Sequence, residues 1–269
     1  GTYKISSTLK LQAGSQLYLA SDCTIKPASN IDIFRMKAGA FVSGGIINCS
    51  GVSWDSTIFY FNGTDQFNLT APTIIENVRM LNDGLGTAIK MLSEQDGKKN
   101  HYVFGTRISN CIINGFTTGV LLKNTETEEG TWARVNANRF YNIVTNNVAN
   151  SLVINGAGVE GNIIDFVVQT WAGFNSALDC EGVRNVIRFF VWDWVIVTYP
   201  TAFLFSATTT ENDFITNLKF ESVEDLGTRN NLVSTYTQAF GNIVLTPDGT
   251  KRYRLGVDND GIVTASLLP

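Results

Sequence analysis

The sequence predicts an all-β fold: a right-handed parallel β-helix, a single-stranded solenoid, ending in a short C-terminal β-hairpin. Three observations predict it. First, five segments align: 106–113, 138–145, 162–169, 185–192 and 212–219, four of which open on Asn. Second, each carries Ile or Phe two residues after its start, followed by an apolar run rich in Ile, Val and Phe with a period of two, the pattern of strands. Third, the Asn-to-Asn steps are 24 residues (138 to 162), 23 (162 to 185) and 27 (185 to 212), and a pattern recurring at such spacing marks a stacked repeat. Equivalent strands of successive coils pair in register, so equivalent residues form columns about 4.8 Å apart. Handedness follows the general preference of parallel crossovers.

The columns carry specific expectations. Asn138, Asn162, Asn185 and Asn212 are placed to form an amide ladder, each side chain bonding its neighbours above and below; the alternative is that Asn only marks turns. Ile108, Phe140, Ile164, Ile187 and Phe214 point inward, so Ser109, Tyr141, Asp165, Arg188 and Ile215 point outward. The solenoid also reaches upstream: 73–80 matches the Thr106 segment, 33 residues earlier (73 to 106), and 39–49 reads as another coil. The first 29 residues read as short strands at 3–5, 8–11 and 17–19, continued by 22–26. Two polar stretches, 93–101 and 124–131, read as charged loops, either binding elements or plain solvated turns. The coil pattern ends near residue 245. Residues 246–269 read as two strands, 252–257 and 262–267, joined by Asp258-Asn259-Asp260-Gly261, a segment that could cap the open end of the helix. That turn lacks the downstream Glu of a calcium loop.

Composition excludes several classes. The net charge of −4 argues against a nucleic-acid partner, which needs a basic surface. No apolar run approaches a membrane span. The four cysteines lie far apart with no CxxC pair, so neither a zinc site nor a disulfide framework is called for, and Cys111 reads as a free core thiol. The single histidine, His101, falls in a polar stretch and is read as solvated, which leaves nothing for a Ser-His-Asp arrangement. No cofactor or metal is expected. The chain begins at Gly1 in what reads as a strand, so it is taken as a piece of a longer protein.

Paired carboxylates remain as possible chemistry. Asp193, between Trp192 and Trp194, and Glu221, one coil on, are the candidate acid/base pair of a hydrolase. Trp171 and Trp194 each fall nine residues after their Asn (162 and 185), where aromatic faces could receive sugar rings or could be buried between subunits. Asp165 and Arg188 would line the same face as substrate contacts, or form a simple cross-strand ion pair. Asp179 and Glu181, around Cys180, form a second acidic cluster, read as a turn.

The opening run GTYKISSTLKLQAGSQLYL resembles the first coils of pectate-lyase-like β-helices in phage tailspikes and bacterial surface enzymes. The final run TPDGTKRYRLGVDNDGIVTASLLP resembles the ending of tail and neck-appendage proteins of phages of Gram-positive, Bacillus-type hosts. This resemblance implies a homotrimer of β-helices in the virion, in contact with other tail proteins. It implies binding at the host surface to cell-wall polysaccharide or teichoic acid, with degradation of that polymer as one outcome. A non-catalytic adhesin and a structural fibre remain the alternatives. No catalytic residue of the family transfers by motif.

Overall fold

The computed structural model describes residues 1–65, 67, 70–94, 101–125, 133–169, 175–192, 202–218, 223–235, 243–245, 252–257 and 263–267, with the backbone alone for Trp192 and for the strands after residue 242. The chain alternates between two long parallel sheets, as a coil must. The first sheet stacks, in order, Thr2–Ile5, Gln16–Pro27, Phe41–Asn48, Ile74–Glu76 with Arg79–Leu81, Arg107–Asn114, Arg139–Asn146, Ile163–Gln169, Val186–Trp192, Asp213–Thr216 and Asn231–Ser234. The second stacks Leu9–Leu11, Phe34–Met36, Thr57–Asn62, Thr87–Glu94, Thr118–Thr125, Asn150–Asn155, Ser176–Cys180, Phe203–Phe205 and Val223–Asp225. A third face, His101–Phe104, Ala133–Asn136 and Val159–Glu160, closes the middle coils. This is a parallel β-helix.

The core follows from period two. In the first sheet Ile75, Ile108, Phe140, Ile164, Ile187 and Phe214 occupy one inward column and are buried. In the second, Phe34, Phe59, Ile89, Val120, Leu152, Leu178 and Phe203 do the same. Phe34 and Phe59 lie 5.1 Å apart with planes 12° from parallel, the offset stacking that in-register rings adopt. All four cysteines are free and buried.

The Asn column is a ladder. Nδ2 of Asn138, Asn162, Asn185 and Asn212 donates to Oδ1 of the next rung at 3.1, 2.9, 3.2 and 3.1 Å, the last being Asn230. Each receiving Oδ1 also accepts the backbone N–H of the rung before it, at 2.9–3.0 Å. The second Nδ2 hydrogen goes to a carbonyl of the same or preceding coil: Val103, Val135, Val159 and Gly182. Both donors and the acceptor of each inner rung are satisfied with no water, which is what allows an amide at 0% exposure. The residue before each rung has positive φ: Ala137, Gly161, Arg184, Glu211 and Arg229. The chain turns its corner there, and the ladder fixes the turn.

Several expectations change. The ladder runs one rung further than the aligned segments, to Asn230, across a coil of 18 residues. His101 is not solvated: it begins a strand, is 3% exposed, and its Nδ1 meets the carbonyl of Glu94. Ser93 is buried too, with Oγ donating to the His101 carbonyl at 2.7 Å. The interiors of the two polar stretches, 95–100 and 126–132, lie outside the described residues. At the C-terminus the two hairpin strands pair antiparallel, and Ile243–Leu245 adds a third strand to them.

Candidate functional site

The outer face of the second sheet carries one column from end to end: Lys10, Arg35, Tyr60, Lys90, Leu121, Val153, Asp179, Leu204 and Glu224. Around its Tyr60–Lys90 step lies an open cleft of about 400 Å³, lined chiefly by polar side chains, among them Asp32, Asp55, Ser56, Tyr60, Thr87 and Lys90. Strand register builds it. Tyr60 and Lys90 are direct partners on adjacent strands, and Lys90 Nζ sits 5.6 Å from the Tyr60 ring centroid, within reach of a cation–π contact. Asn62 donates to the Tyr60 hydroxyl at 3.0 Å, and burial, the largest influence, pushes that hydroxyl's pKa up.

The two carboxylates stand at the turns entering the sheet. Oδ1 of Asp32 accepts from Ser56 Oγ at 2.7 Å and from the Thr57 N–H at 3.0 Å. Oδ1 of Asp55 accepts the Gly86 N–H at 3.0 Å. Each thus spends one oxygen on pinning its turn, while its Oδ2 holds no hydrogen bond from a described residue. Beside the cleft, Arg35 pairs with Asp65 at 3.3 Å and Lys37 pairs with the same carboxylate, so among the described residues Lys90 is the cation facing the opening. The arrangement offers acceptors, a donor cation, hydroxyls and part of an aromatic ring to one ligand. Both carboxylates serve turns through one oxygen each.

The residues singled out from sequence fare differently. Asp165 and Arg188 are register partners on the outer face of the first sheet, as the columns require. They form no ion pair with each other among the described residues, so the simple cross-strand pair does not form. Their surroundings are apolar: Ile163, Val186 and Phe190 are 37%, 39% and 53% exposed on that face. Asp193, Glu221, Trp171 and Trp194 lie outside the described residues. Asp179 belongs to a strand rather than a turn, and burial pushes its carboxyl pKa up. Sequence reasoning missed the Tyr60 cleft. Its residues come from four coils, the fourth through Leu121, and the spacings between them differ. Among the described residues, no group of His, Cys, Asp and Glu could hold a metal ion. No protein-family model matches the chain, and neither a curated protein nor a solved structure is significantly similar to it.

Proposed function

We propose that this β-helix belongs to a phage tail appendage and binds a host cell-surface glycopolymer, polysaccharide or teichoic acid, at the Tyr60 cleft. The observation that carries this reading is the cleft's lining. Free carboxylate oxygens at Asp32 and Asp55 suit sugar hydroxyls, the Lys90 ammonium suits a hydroxyl or anionic group, and the Tyr60 ring suits the apolar edge of a pyranose. The resemblances at the two ends of the chain supply the virion context. Binding of purified wall polysaccharide and wall teichoic acid, measured by calorimetry, tests it. Tyr60→Ala and Lys90→Ala should each weaken binding about tenfold, the effect of losing one well-made contact, with an unchanged melting temperature. Wild-type affinity in both variants would remove the cleft from the reading.

Degradation of the polymer is the catalytic form of the proposal, with Asp193 and Glu221 as the carboxylates that would act. A reducing-end and phosphate assay on Asp193→Asn and Glu221→Gln separates it from the adhesin. Loss of cleavage with binding retained supports a hydrolase, and binding without any wild-type cleavage supports the adhesin. Assembly as a homotrimer draws support from the exposed Ile163, Val186 and Phe190 on one sheet face, where one coil leaves apolar surface uncovered. A monomer mass by light scattering, with the upstream region present, would refute it.

A further inference from the structure

The outer face of the first sheet carries Arg107 and Arg139 as direct register partners, flanked in their column by Ile74 and Ile163. Both are exposed. Adjacent strands set their Cα atoms about 4.8 Å apart, and like charges directly opposite repel. Several other arginines among the described residues have carboxylate partners. Arg35 pairs with Asp65, Arg134 and Arg184 with Glu160, and Arg229 with Glu211. Arg107 and Arg139 have no acidic partner among the described residues. Two carboxylates lie diagonally along the face: Glu76, two residues on from Ile74, which accepts from Ser43 Oγ at 3.3 Å, and Asp165, two residues on from Ile163; neither forms an ion pair with Arg107 or Arg139. Arg79 and Arg188 have no ion pair among the described residues either, but neither has a second guanidinium in register.

A cleft of about 260 Å³ opens beside the pair, lined by both arginines, by Pro72 and Ile163, and by the corner residues Gly105, Ala137 and Gly161. All three corner residues have positive φ: 71°, 53° and 63°. The same corner position in the next three coils carries Arg184, Glu211 and Arg229. Long side chains therefore suit this corner. Beside Arg107 and Arg139 the corner is small, as it is at Gly14 and Gly39 in the early coils, and that leaves the room.

We propose that Arg107 and Arg139 form an oxyanion subsite that holds one phosphate group between two guanidiniums, the phosphate being a diester in an anionic polymer. Planar guanidiniums match tetrahedral oxyanions through paired N–H···O bonds. An anion between them removes the repulsion that the register imposes. Two rungs, closed by Ile74 and Ile163, set the capacity at one phosphate per chain. The subsite lies on a different sheet from the Tyr60 cleft, so it stands or falls separately.

The test is thermal unfolding and calorimetry of the full chain with two probes, inorganic phosphate and bis(glycerol) phosphate, at low ionic strength. Binding of the diester should raise the melting temperature. It should weaken about tenfold in Arg107→Gln or Arg139→Gln and vanish in the double variant. Both sites are exposed, so circular dichroism of the variants should match wild type. The drop caused by Arg107→Gln should be equally large in a Tyr60→Ala background, which separates failure of this site from failure of the cleft. An equal response of wild type and double variant to the diester would overturn the proposal, as would no wild-type response. A response to inorganic phosphate alone would overturn the assignment to a polymer diester.

Discussion

Replacing Asn162 by Ala should unseat the corner of the helix. Asn162 is 0% exposed and central in the ladder. Its Oδ1 accepts from the Asn138 N–H at 3.0 Å and Asn138 Nδ2 at 3.1 Å, and its Nδ2 donates to the Val135 carbonyl at 3.0 Å and Asn185 Oδ1 at 2.9 Å. Truncation leaves two donors without partners, deprives Val135 of this donor, and takes one of two bonds from Asn185. A buried polar group left unsatisfied costs about 1–3 kcal/mol. With two donors orphaned, and water entering the gap to recover part of the loss, the expected destabilisation is about 3–5 kcal/mol. Asn231→Ala is the control. Its exposed Nδ2 donates to Asp213 at 3.1 Å, and its loss should cost under about 0.5 kcal/mol. Asn162→Asp keeps the shape but removes the donor, setting a carboxylate against the oxygens of Val135 and Asn185. The raised carboxyl pKa that follows makes this variant weakest at neutral pH and partly restored on acidification, because the folded state then holds a proton the unfolded state releases. Urea unfolding followed by circular dichroism measures all three. If Asn162→Ala costs no more than Asn231→Ala, the ladder is a by-product of the coil and not a cause of it.

Two further outcomes follow from burial. Cys49, Cys111 and Cys180 have thiol pKa values pushed up to about 12, with burial the leading cause in each. The unfolded chain ionises them near pH 8.5, so it binds fewer protons in between, and stability should fall as pH rises, by about 1.4 kcal/mol per pH unit per thiol. Urea midpoints between about pH 9 and pH 11 should show this fall. A shallower fall in Cys111→Ala would confirm the source, and a flat profile in wild type would contradict it. Gly115 has φ 78°, and an added Cβ would lie 1.9 Å from the Asn82 carbonyl oxygen. Gly115→Ala should therefore cost about 3 kcal/mol, read from the urea midpoint, because backbone cannot give way as a side-chain tip can. A loss under about 1 kcal/mol would show that this turn relaxes.

The coil was legible because two signals agree: an inward apolar column with period two, and an Asn at the corner of four successive turns. Each signal comes from residues that the stacking itself constrains. Asn230 was not legible, since its coil is only 18 residues and the short strand after it, Asn231–Ser234, carries Leu232 where the aligned segments carry Ile or Phe. His101 misled because its sequence neighbours are polar, while its burial comes from packing at the Gly63 turn, where a Cβ on Gly63 would lie 3.1 Å from that of His101. The Tyr60 cleft was not legible because the early coils carry Ala40, Thr73 and Thr106 at the ladder position, where the late coils carry Asn. Tyr60 and Lys90 are 30 positions apart (60 to 90) and meet only through register. Tryptophan spacing instead directed attention to the late coils.

The outward columns argue about where a polyanion could lie. On the second sheet the column begins with Lys10 and Arg35, passes Tyr60 and Lys90, turns apolar at Leu121 and Val153, and ends with Asp179 and Glu224. Its sign reverses along the axis. On the first sheet, Arg107 and Arg139 sit in the middle coils, and the late coils present Ile163, Val186 and Phe190 beside Asp165 and Arg188. An anionic chain is attracted to the early and middle coils and repelled by the acidic end of the second sheet. The late coils of the first sheet have the apolar character that a subunit contact needs. The inward columns and the ladder leave little freedom inside, so among the described sheets the proposed recognition would fall on these outer columns. On the proposed reading, their charges place polymer binding ahead of residue 140 and subunit contact behind it. A polymer footprint by hydrogen exchange checks this division. Protection confined to 163–234 on polymer binding would reverse it.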